Sequence, residues 1–389
     1  MQVKVSDRVH SNVIHTDIYT VMKINDIKRK VRREVLRPLG KRVFLLFPDL
    51  AAKYRLHKEM QAIRNEAAQF FAQGQPLPEG ASREDYYQAL EKHAVSISEY
   101  LYQYEFYKFS EQEREEFISR AKMRALAYKL RMKYPKDCSG LPRFKEKYLG
   151  RFTELGFIHR RWLYVPDCDY QQFIDLLSSE DCIIKPADGS LGIGVEKISR
   201  QDDSEQTRAL YEKCVRGKML LEECVKGCDV LQAFHPQSLN SMRFVTMAFR
   251  GKVVPFGALC RFGVGDMIID NVHAGGLCIQ IDKNTGVLVS DGMTTGAMRV
   301  AKHPDTHLTI KGTQIPHWDK VVDFCMSAAR QTKNIITGWD IVVTDKGDVE
   351  LIEVNNRPDF DGMQGPLRIG LKREVLETLK DLIGEEFTV

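Results

Sequence analysis

The sequence predicts an α+β protein in which a helical N-terminal domain precedes a larger domain built on antiparallel sheet. Helix-forming residues dominate up to about residue 135, and glycine is rare there. From about residue 139, short apolar runs alternate with turn-forming residues, which indicates strands joined by hairpins. The chain has 389 residues, which is enough for two or three domains. We therefore predict a helical domain over residues 1–138 and a second domain over 139–389, joined at the linker Ser139–Pro142.

The composition is that of an ordinary globular protein, with 43% hydrophobic and 28% charged residues. The net charge of +4 is too small to indicate nucleic-acid binding. No stretch approaches the ~20 apolar residues that span a bilayer, and the first residues contain no apolar signal segment. Nine scattered cysteines without a CxxC pair predict reduced thiols, a cytoplasmic location and no zinc site.

Three stretches of the N-terminal region have the apolar spacing of helices: 51–72, 82–93 and 110–132. Ser110, with Glu113 three residues later, forms a candidate capping box for the third. The basic run Lys28–Arg33 fits two interpretations. It could dock on an anionic membrane surface or an acidic polymer, but such a run is more often a solvated helix face.

A glycine-rich hairpin follows two predicted helices, 145–155 and 170–177. A strand over 181–186 leads into the loop Ala187–Gly194, and a second strand covers 195–198. Backbone N–H groups of such a loop can close over phosphates, and Lys185 adds a positive charge at its base. A strand rather than a helix follows the glycines, so this is neither a Rossmann loop nor a P-loop. Glycines in a tight hairpin also need no ligand, so the structural interpretation stays open.

Further apolar strands are predicted, and their alternation indicates an antiparallel sheet with one solvated face; they cover 219–225, 241–247, 253–261 and 277–281. Arg243 and Arg261 lie on two of these strands. An unpaired guanidinium there would be costly, so each is expected to face a bound anion or an acidic partner, or to form a structural salt bridge.

The last predicted hairpin joins Gly338–Val343 to Leu351–Asn355 through a turn at 344–348. Asp340 opens its first strand, and Glu353 and Asn355 share one face of the second, since strand side chains repeat every two residues. Carboxylate and amide oxygens together suit Mg²⁺. The alternative is a surface hairpin whose acids are solvated.

Together these motifs resemble an ATP-grasp enzyme, and they occur in order from about Lys145 to Pro358. The carriers of the resemblance are Lys185-Pro186 with Gly189-Ser190-x-Gly192, Leu220-Leu221-Glu222-Glu223-x-Val225-x-Gly227-x-Asp229, and Asp340 with Glu353-x-Asn355. The spacing of the last set resembles that of D-alanine–D-alanine ligases and ribosomal-protein glutamate ligases. Within the superfamily, the sequence is most similar to the sugar-transfer-associated ATP-grasp proteins, through His235-Pro236-x-Ser238-Leu239-Asn240-Ser241-x-Arg243, Asp270-Asn271-x-x-x-Gly275-Gly276, His303-Pro304, Ile315-Pro316-x-Trp318 and Gly338-Trp339-Asp340.

The resemblance implies two α+β lobes that clasp ATP, a nucleotide-flap lobe over about 180–230 and a metal-binding lobe over about 231–389. The helical N-terminal region is not covered and departs from the α/β domain usual in this position. The metal ligands implied are Asp340, Glu353 and Asn355, holding two Mg²⁺ ions for which Mn²⁺ could substitute. The nucleotide-binding residues implied are Lys185, Lys145 or its rival Lys147, Gly189, Ser190, Gly192, Glu222, the backbone of Glu223 and Val225, Asp229 at the ribose, and Asn271.

The activity implied is that of an ATP-dependent carboxylate–amine ligase, which forms an amide or peptide bond through an acyl phosphate. Its substrates would be a small carboxylate and amine, or a precursor of a cell-surface glycan or peptide-like metabolite. A kinase acting on a sugar or other hydroxyl is the alternative, and a nucleotide-binding module without turnover is a third class that the complete metal triad disfavours. No nucleic acid and no integral membrane segment are expected, and a homodimer is compatible with the sequence.

Arg243 and Arg261 are the candidates for stabilising the charge that develops during the reaction. D-alanine–D-alanine ligases carry an arginine two residues before the metal aspartate, but here Gly338 stands at that position, so the cation must come from another strand. His273 is a third candidate, either as a contact to substrate or phosphate or as a residue that stabilises a turn.

Overall fold

The computed structural model describes residues 37–102, 111–138, 144–189, 192–295 and 298–388. Four sequence predictions fall outside these ranges: the basic run Lys28–Arg33, the capping box at Ser110, the linker Ser139–Pro142 and the flap residue Ser190. All nine cysteines are free thiols, and no helix in the described part of the chain is both long enough and apolar enough to cross a membrane.

The described N-terminal region is helical, as predicted, and its helices are α1 Arg37–Leu46, α2 Pro48–Ala72, α3 Arg83–His93, α4 Ile97–Tyr102, α5 Glu111–Glu116 and α6 Arg120–Lys133. The helix predicted over 82–93 is confirmed, and Ser82 caps it in a reciprocal pair with Asp85. The single helix predicted over 110–132 is wrong. The chain leaves the helix after Glu116, and a new helix begins where the Ser119 hydroxyl accepts a hydrogen bond from the Lys122 N–H.

The next part of the chain forms a four-stranded antiparallel sheet in the order β1-β4-β2-β3. Its strands are β1 Trp162–Tyr164, β2 Cys182–Pro186, β3 Glu196–Ile198 and β4 Met219–Glu223. The helices of this lobe are α7 Lys145–Glu154, α8 Tyr170–Ser179 and α9 Glu205–Gly217. Helices α8 and α9 pack on one face of the sheet, through a cluster that includes Phe173, Leu177 and Cys214. Lys185 and Glu222 alternate with the strand residues of that cluster, so they project from the opposite face.

A seven-stranded antiparallel sheet in the order β11-β10-β5-β6-β7-β8-β9 carries the rest of the fold. Its strands are β5 Met242–Phe249, β6 Lys252–Phe262, β7 Leu277–Ile281, β8 Gly292–Met293, β9 Arg299–Val300, β10 Ile336–Val343 and β11 Val349–Asn355. The accompanying helices are α10 Asp229–Gln232, α11 Trp318–Arg330, α12 Asp361–Gln364 and α13 Lys372–Ile383. The predicted C-terminal hairpin is therefore confirmed as β10 and β11, although Asp340 lies inside β10 rather than opening it.

Both faces of this sheet are covered, so the prediction of one solvated face is wrong. One face packs against α7 and α11, with Trp339 edge-on to Phe152 at a centroid separation of 5.8 Å. The other face packs against α6 and α13 through residues such as Met123, Leu126 and Val375. Period-two alternation distinguishes the two faces of a strand, but it does not reveal whether the second face meets water or another layer of helices. The division at residue 138 stays a prediction, because α6 packs directly on this sheet.

Candidate active site

The face of the seven-stranded sheet that packs against α6 and α13 is apolar along part of its strands and carries charged side chains along the rest. Arg243, Arg261 and Asp340 come from β5, β6 and β10, and each has neighbours in sequence that point into the opposite core, such as Trp339 and Ile341 beside Asp340. Arg243 is the direct cross-strand partner of Asp340. Period-two alternation therefore brings the three side chains to one face, where the antiparallel pairing sets them side by side.

A β-bulge brings Glu353 to the same face. Asp340 pairs with Glu353, but the next residue, Ile341, pairs with Leu351, so Ile352 is an extra residue in β11. Leu351 and Val354 both pack into the opposite core, which would be impossible in a regular strand because they are three residues apart. The extra residue reverses the alternation, and Glu353 consequently faces the charged side with Asp340.

Asp340 is held by two arginines. The Nε and Nη2 atoms of Arg243 donate to its Oδ1 and Oδ2 at 2.7 and 2.8 Å, and the Nη2 of Arg261 donates to Oδ2 at 3.1 Å. Burial alone would raise the pKa of Asp340, but the two guanidinium charges outweigh it and lower the pKa to about 2. Asp340 is therefore ionised at neutral pH and fixes the orientation of both arginines.

Neither guanidinium is saturated with hydrogen-bond acceptors. Arg261 also donates to the Ser241 hydroxyl at 2.6 Å, but its buried Nε has no hydrogen-bond partner among the described residues. The Asp270 carboxylate lies 3.9 Å from that atom, too far for a hydrogen bond, and Asp270 itself accepts from the Ser241 N–H. A buried charged donor without an acceptor is expensive, so the arrangement fits an anion that the protein alone does not supply.

A buried chain of charges connects the two sheets. Lys185 on β2 lies 2.7 Å from Glu222 on β4, and the other oxygen of Glu222 accepts from Arg160 at 2.9 Å. Arg160 then donates to Glu350 on β11 at 2.8 Å and to the carbonyl of Leu351 at 2.6 Å. Arg160 thus holds the bulge of β11 and, through Glu222, orients Lys185. Sequence reasoning missed Arg160 and Glu350, although the arginine pair Arg160-Arg161 directly before an apolar strand was a visible signal.

Lys145 and Lys147, the rivals for a phosphate-binding lysine, lie in different surroundings. Lys145 is buried, with its Nζ 3.7 Å from the Glu353 Oε1, so it faces the metal-ligand candidates across the cleft. Lys147 is exposed, and its Nζ lies over the ring of Phe144 at 5.6 Å. Burial, aided by the charges of Arg160 and Lys145, lowers the pKa of Lys185, while Glu222 opposes that change. The charge of Lys145 acts on Lys185, so the two buried lysines lie near each other.

The glycine-rich loop lies against the loop that precedes β7. Gly192 has φ +75°, and a Cβ there would be 2.7 Å from the Cδ1 of Ile269 and 4.0 Å from the Nδ2 of Asn271. The Oδ1 of Asn271 accepts from the backbone N–H of His273 at 2.9 Å, which stabilises the turn. The role of the His273 side chain stays a prediction. The His273 side chain is exposed, and partial desolvation with the nearby Arg120 charge lowers its pKa. Gly189, at the start of the loop, packs against Pro186.

The residues predicted for the adenine and ribose have mixed placements. Both oxygens of Glu222 are engaged by Lys185 and Arg160, so this side chain positions the lysine rather than facing a base. The N–H of Glu223 donates to the Arg161 carbonyl at 2.9 Å and is not available to adenine. Val225, just beyond β4, is the remaining backbone candidate. Asp229 is exposed at the first turn of α10.

A second charged cluster, missed from the sequence, joins the helical region to this site. Arg120 at the start of α6 pairs with Asp361 at 2.7 Å and with Asp359 at 3.3 Å. Its backbone N–H donates to buried Glu99, whose pKa is raised to about 7 by burial and by the charge of Asp361. The run Asp359-Phe360-Asp361, shortly after Asn355, was the available sequence signal. The helical region therefore contributes side chains beside the catalytic candidates.

The residues present fit a magnesium ion, although Asp340 and Asn355 already accept hydrogen bonds from neighbouring residues. Within the described residues, no group of three or more His, Cys, Asp or Glu side chains is arranged to hold a metal, but the predicted set needs only two acids and an amide. Asp340 faces Glu353; its Oδ2 already accepts from two guanidinium groups and its Oδ1 from one, so Oδ1 keeps a lone pair for a metal. The Oδ1 of Asn355 already accepts from the Arg357 N–H at 3.0 Å, which leaves its second lone pair. This hard, all-oxygen donor set is the one that Mg²⁺ prefers.

Two α+β units that face each other across buried lysines and a carboxylate-bearing antiparallel hairpin define an ATP-grasp fold. The family model described as sugar-transfer associated ATP-grasp matches residues 166–380, more than half of the chain. The protein belongs to this family. No curated protein matches the sequence.

Several solved structures are similar in fold. The ATP-grasp ligase PsnB, complexed with precursor peptide PsnA2 and AMPPNP, is 16% identical, with 68% of this chain and 70% of that chain covered and a TM-score of 0.41. An L-amino acid ligase from Bacillus licheniformis is 14% identical, with coverages of 64% and 54% and a TM-score of 0.37. The D-alanine–D-alanine ligase from Bacillus anthracis is 15% identical, with coverages of 61% and 70% and a TM-score of 0.33. At this level of likeness, function must be argued from the residues of this chain.

Proposed function

We propose that this protein is an ATP-dependent carboxylate–amine ligase that forms an amide bond through an acyl phosphate. The observation that carries the proposal is the pair of arginines on Asp340, which keep unused donors beside Glu353, the residue whose carboxylate lies 3.7 Å from buried Lys145. The lysines fit the phosphates of a nucleotide, and the arginines fit a second anion that meets its terminal phosphate. A carboxylate substrate is such an anion.

The position of Arg243 favours a ligase. Ligases of the D-alanine–D-alanine type carry an arginine two residues before the metal aspartate, where this chain has Gly338. A Cβ on Gly338 would lie 3.5 Å from the Cδ of Arg243, so the Arg243 stem fills the space beside that glycine. Arg243 would therefore supply from β5 the positive charge that those ligases supply from the metal strand.

The chemistry that follows has two steps. A substrate carboxylate oxygen attacks the γ-phosphorus of ATP, ADP leaves, and an acyl phosphate forms. The amine nitrogen then attacks the carbonyl carbon, and the amide forms as phosphate leaves and the nitrogen loses a proton. Arg243 and Arg261 would orient the carboxylate in the first step and stabilise the tetrahedral oxyanion in the second. Lys145 and Lys185 would hold the phosphates in line with the attacking oxygen.

Asp340, Glu353 and Asn355 would hold magnesium beside these phosphates. The ion would neutralise charge on the transferred phosphoryl group. Without it, the carboxylates of Asp340 and Glu353 would repel the phosphates, because the nearby cations are already paired with acids of this chain. Two ions, or Mn²⁺ in place of Mg²⁺, are compatible with this donor set.

The lysine assignment gives one prediction. Lys145→Met should weaken binding of ATP with Mg²⁺ by roughly 10- to 100-fold, because a charge-assisted hydrogen bond contributes about 1.5–3 kcal/mol. Calorimetry with a nonhydrolysable ATP analogue measures the loss. Lys147→Met is the matched control and should bind as the parent does. An unchanged affinity in Lys145→Met would remove this lysine from the nucleotide site.

The ligase proposal is tested by screening amino acids and uronic acids, singly and in acid–amine pairs, for ADP release. A ligase releases ADP and phosphate in a sustained reaction only when both acid and amine are present, and mass spectrometry finds the amide. A product that keeps the phosphate would show the kinase instead. Glu353→Gln, which removes a metal-ligand candidate, should abolish the activity and so assign it to this site.

The biological setting is part of the proposal. The family description, sugar-transfer associated ATP-grasp, supports a role on cell-surface glycan or peptide-like precursors. The reaction would take place in the cytoplasm, where ATP is available, and the free thiols of all nine cysteines support that proposal.

A further inference from the structure

The corner between α1 and α2 presents a stripe of apolar side chains on the surface of the described structure. Leu46, Phe47 and Leu50 are 74%, 59% and 49% exposed, and Val43 and Tyr54 on either side of them are also exposed. Each of the five lies three or four residues from another, which is the spacing of one helix face. Single exposed apolar residues are common, but a continuous stripe marks an interaction surface. We call these five residues the apolar ridge.

The bend between the two helices keeps the apolar ridge on one side. The Phe47 N–H donates to the Val43 carbonyl at 2.9 Å, and the Ala51 N–H donates to the Phe47 carbonyl at 3.1 Å, so helical hydrogen bonding continues across the corner. Other side chains attach this segment to the protein. The Phe44 ring packs edge-on against Tyr128 of α6 at 6.1 Å, and Ala51 is buried. The apolar ridge is therefore not the side that holds the two helices in place.

Basic side chains border the apolar ridge. Arg42 and Lys53 are exposed and each directly precedes a ridge residue, while the Nζ of Lys58 lies 5.9 Å from the centre of the aromatic ring that ends the ridge. We call these three residues the basic flank. The acid within this stretch, Asp49, is paired with Lys129 of α6 and so cancels little of the charge. The surface around the apolar ridge is therefore positive.

The chain that leads into α1 carries more positive charge. Every residue of the run Lys28–Arg33 except Val31 is basic, and Glu34 is the only acid between this run and Arg42. Helices that lie in the interface of an anionic bilayer have this composition, with large apolar side chains on one face and Lys and Arg beside them.

Charge decides which occupant fits the apolar ridge. The run Lys28–Arg33 has the same sign as the basic flank and would be repelled by it. In a two-fold dimer the ridge would meet its own copy, and the two basic flanks would oppose each other. An acidic polymer would satisfy the bases but leave the apolar side chains in water. An anionic lipid surface matches both parts, because its headgroups meet the bases and its acyl region takes the apolar side chains.

We propose that the apolar ridge docks this protein on an anionic phospholipid bilayer. Leu46, Phe47 and Leu50 enter the boundary between headgroups and acyl chains, and the basic flank contacts the lipid phosphates. The inference does not depend on the proposed ligase activity. It assigns a peripheral membrane contact to the helical region, which the ATP-grasp fold does not require.

The docking surface is connected to the candidate active site. Helix α2 carries the apolar ridge at its start, and its Glu59 pairs with Arg124 of α6 at 3.1 Å. Arg120, at the start of α6, pairs with Asp361 beside the catalytic candidates. Docking through the ridge would thus hold the candidate active site close to a membrane surface.

The test uses the full chain and a vesicle flotation assay. Vesicles of phosphatidylcholine with about 30 mol% phosphatidylglycerol are compared with vesicles of phosphatidylcholine alone. We expect the parent to float with the anionic vesicles and to remain behind with the neutral ones. Binding should also fall as the salt concentration rises, because salt screens the attraction between the basic flank and the headgroups.

Two double variants separate the apolar and the charged parts of the surface. Leu46→Ser with Phe47→Ser should weaken binding to anionic vesicles at least about tenfold, because two large side chains no longer enter the bilayer. Arg42→Gln with Lys53→Gln should also weaken it at least about tenfold. All four side chains are exposed, so both variants should keep the unfolding temperature of the parent.

The matched control is Met298→Ser with Ile369→Ser. These apolar side chains are 61% and 52% exposed but lie outside the ridge, so the control should bind as the parent does.

Four outcomes would overturn the proposal. The first is that the parent does not float with anionic vesicles, and the second is that it floats equally well with neutral ones. The third is that Leu46→Ser with Phe47→Ser floats as the parent does, which would leave a purely charged surface suited to an acidic polymer. The fourth is that ultracentrifugation finds a dimer of the parent that this variant disrupts, which would assign the apolar ridge to self-association.

Discussion

Arg243→Met is expected to lose at least ~100-fold in turnover while it still binds ATP with Mg²⁺ within a few-fold of the parent. If Arg243 stabilises the oxyanion, its interaction is stronger in the transition state than in the ground state, and its removal lowers kcat more than binding. Removing one preorganised donor of this kind typically costs about 100- to 1,000-fold. Methionine keeps most of the packing of the arginine stem, so the change is mainly one of charge. Steady-state kinetics on the pair found by screening, with calorimetry for the nucleotide, measures both effects.

The bidentate contact of Arg243 with Asp340 requires a control for stability. Asp340 keeps the Arg261 contact at 3.1 Å in the variant, so it is not left without a positive partner. Arg243→Lys keeps the charge but loses the paired geometry, and its turnover should lie between those of the parent and Arg243→Met. Arg250→Met, at an exposed residue just after β5, is the matched control and should be fully active. Parent-like turnover in Arg243→Met would make Arg243 a structural residue and Arg261 the catalytic candidate.

Arg160→Met is expected to destabilise the fold by about 3–5 kcal/mol, because it leaves two buried acids without a shared partner. The side chain of Arg160 is 3% exposed, and Glu222 and Glu350 are 5% and 4% exposed. The loss also frees the carbonyls of Leu351 and Ile352 at the bulge. Arg161→Met is the matched control, since the adjacent Arg161 is half exposed and pairs with Glu223 at 3.4 Å, a contact of about 0–1 kcal/mol. Chemical denaturation measures the stability of both variants. Equal denaturation midpoints for Arg160→Met and Arg161→Met would contradict the stabilising role of Arg160.

The same network predicts how stability depends on pH. Burial alone would raise the pKa of Glu222, but Lys185 and Arg160 outweigh it and lower the pKa from 4.5 to about 2. The unfolded state therefore binds more protons between these values, so the stabilisation is complete above about pH 4.5 and is lost as the pH falls toward 2. The parent should lose stability over this range more steeply than Arg160→Met, whose Glu222 keeps Lys185 alone. If the stability of the parent and of Arg160→Met fell equally steeply with pH, Arg160 would not be what lowers the pKa of Glu222.

Much of the fold could be predicted from local patterns in the sequence. The hairpin of β10 and β11, the strands around the glycine-rich loop and the helix that Ser82 caps all appear as predicted. Each depends on residues close in sequence, such as turn formers between apolar runs or a capping pair three residues apart. The ordered motifs also identified the family, because they combine many weak local signals.

The pairing of side chains across the sheet was decided by tertiary structure. Arg243 and Asp340 are 97 residues apart, and Arg160 and Glu350 are 190 apart. Sequence alone predicted that the arginines on apolar strands need partners, but it could not choose between an anion and an acid. In the structure Asp340 is the shared partner, and the donors left over are what point to a substrate.

The sequence by itself determined the strands, the family and which residue types carry the chemistry, because alternation, turns and motifs are local properties of the chain. Only the tertiary structure decided that both faces of the large sheet are covered, that α6 supplies Arg120 beside the site, and that Glu353 faces Asp340. The last depends on one extra residue, Ile352, which reverses the side-chain alternation of β11. A bulge leaves no mark in the apolar pattern until its cross-strand partner is known, because the register is a property of two strands and not of one.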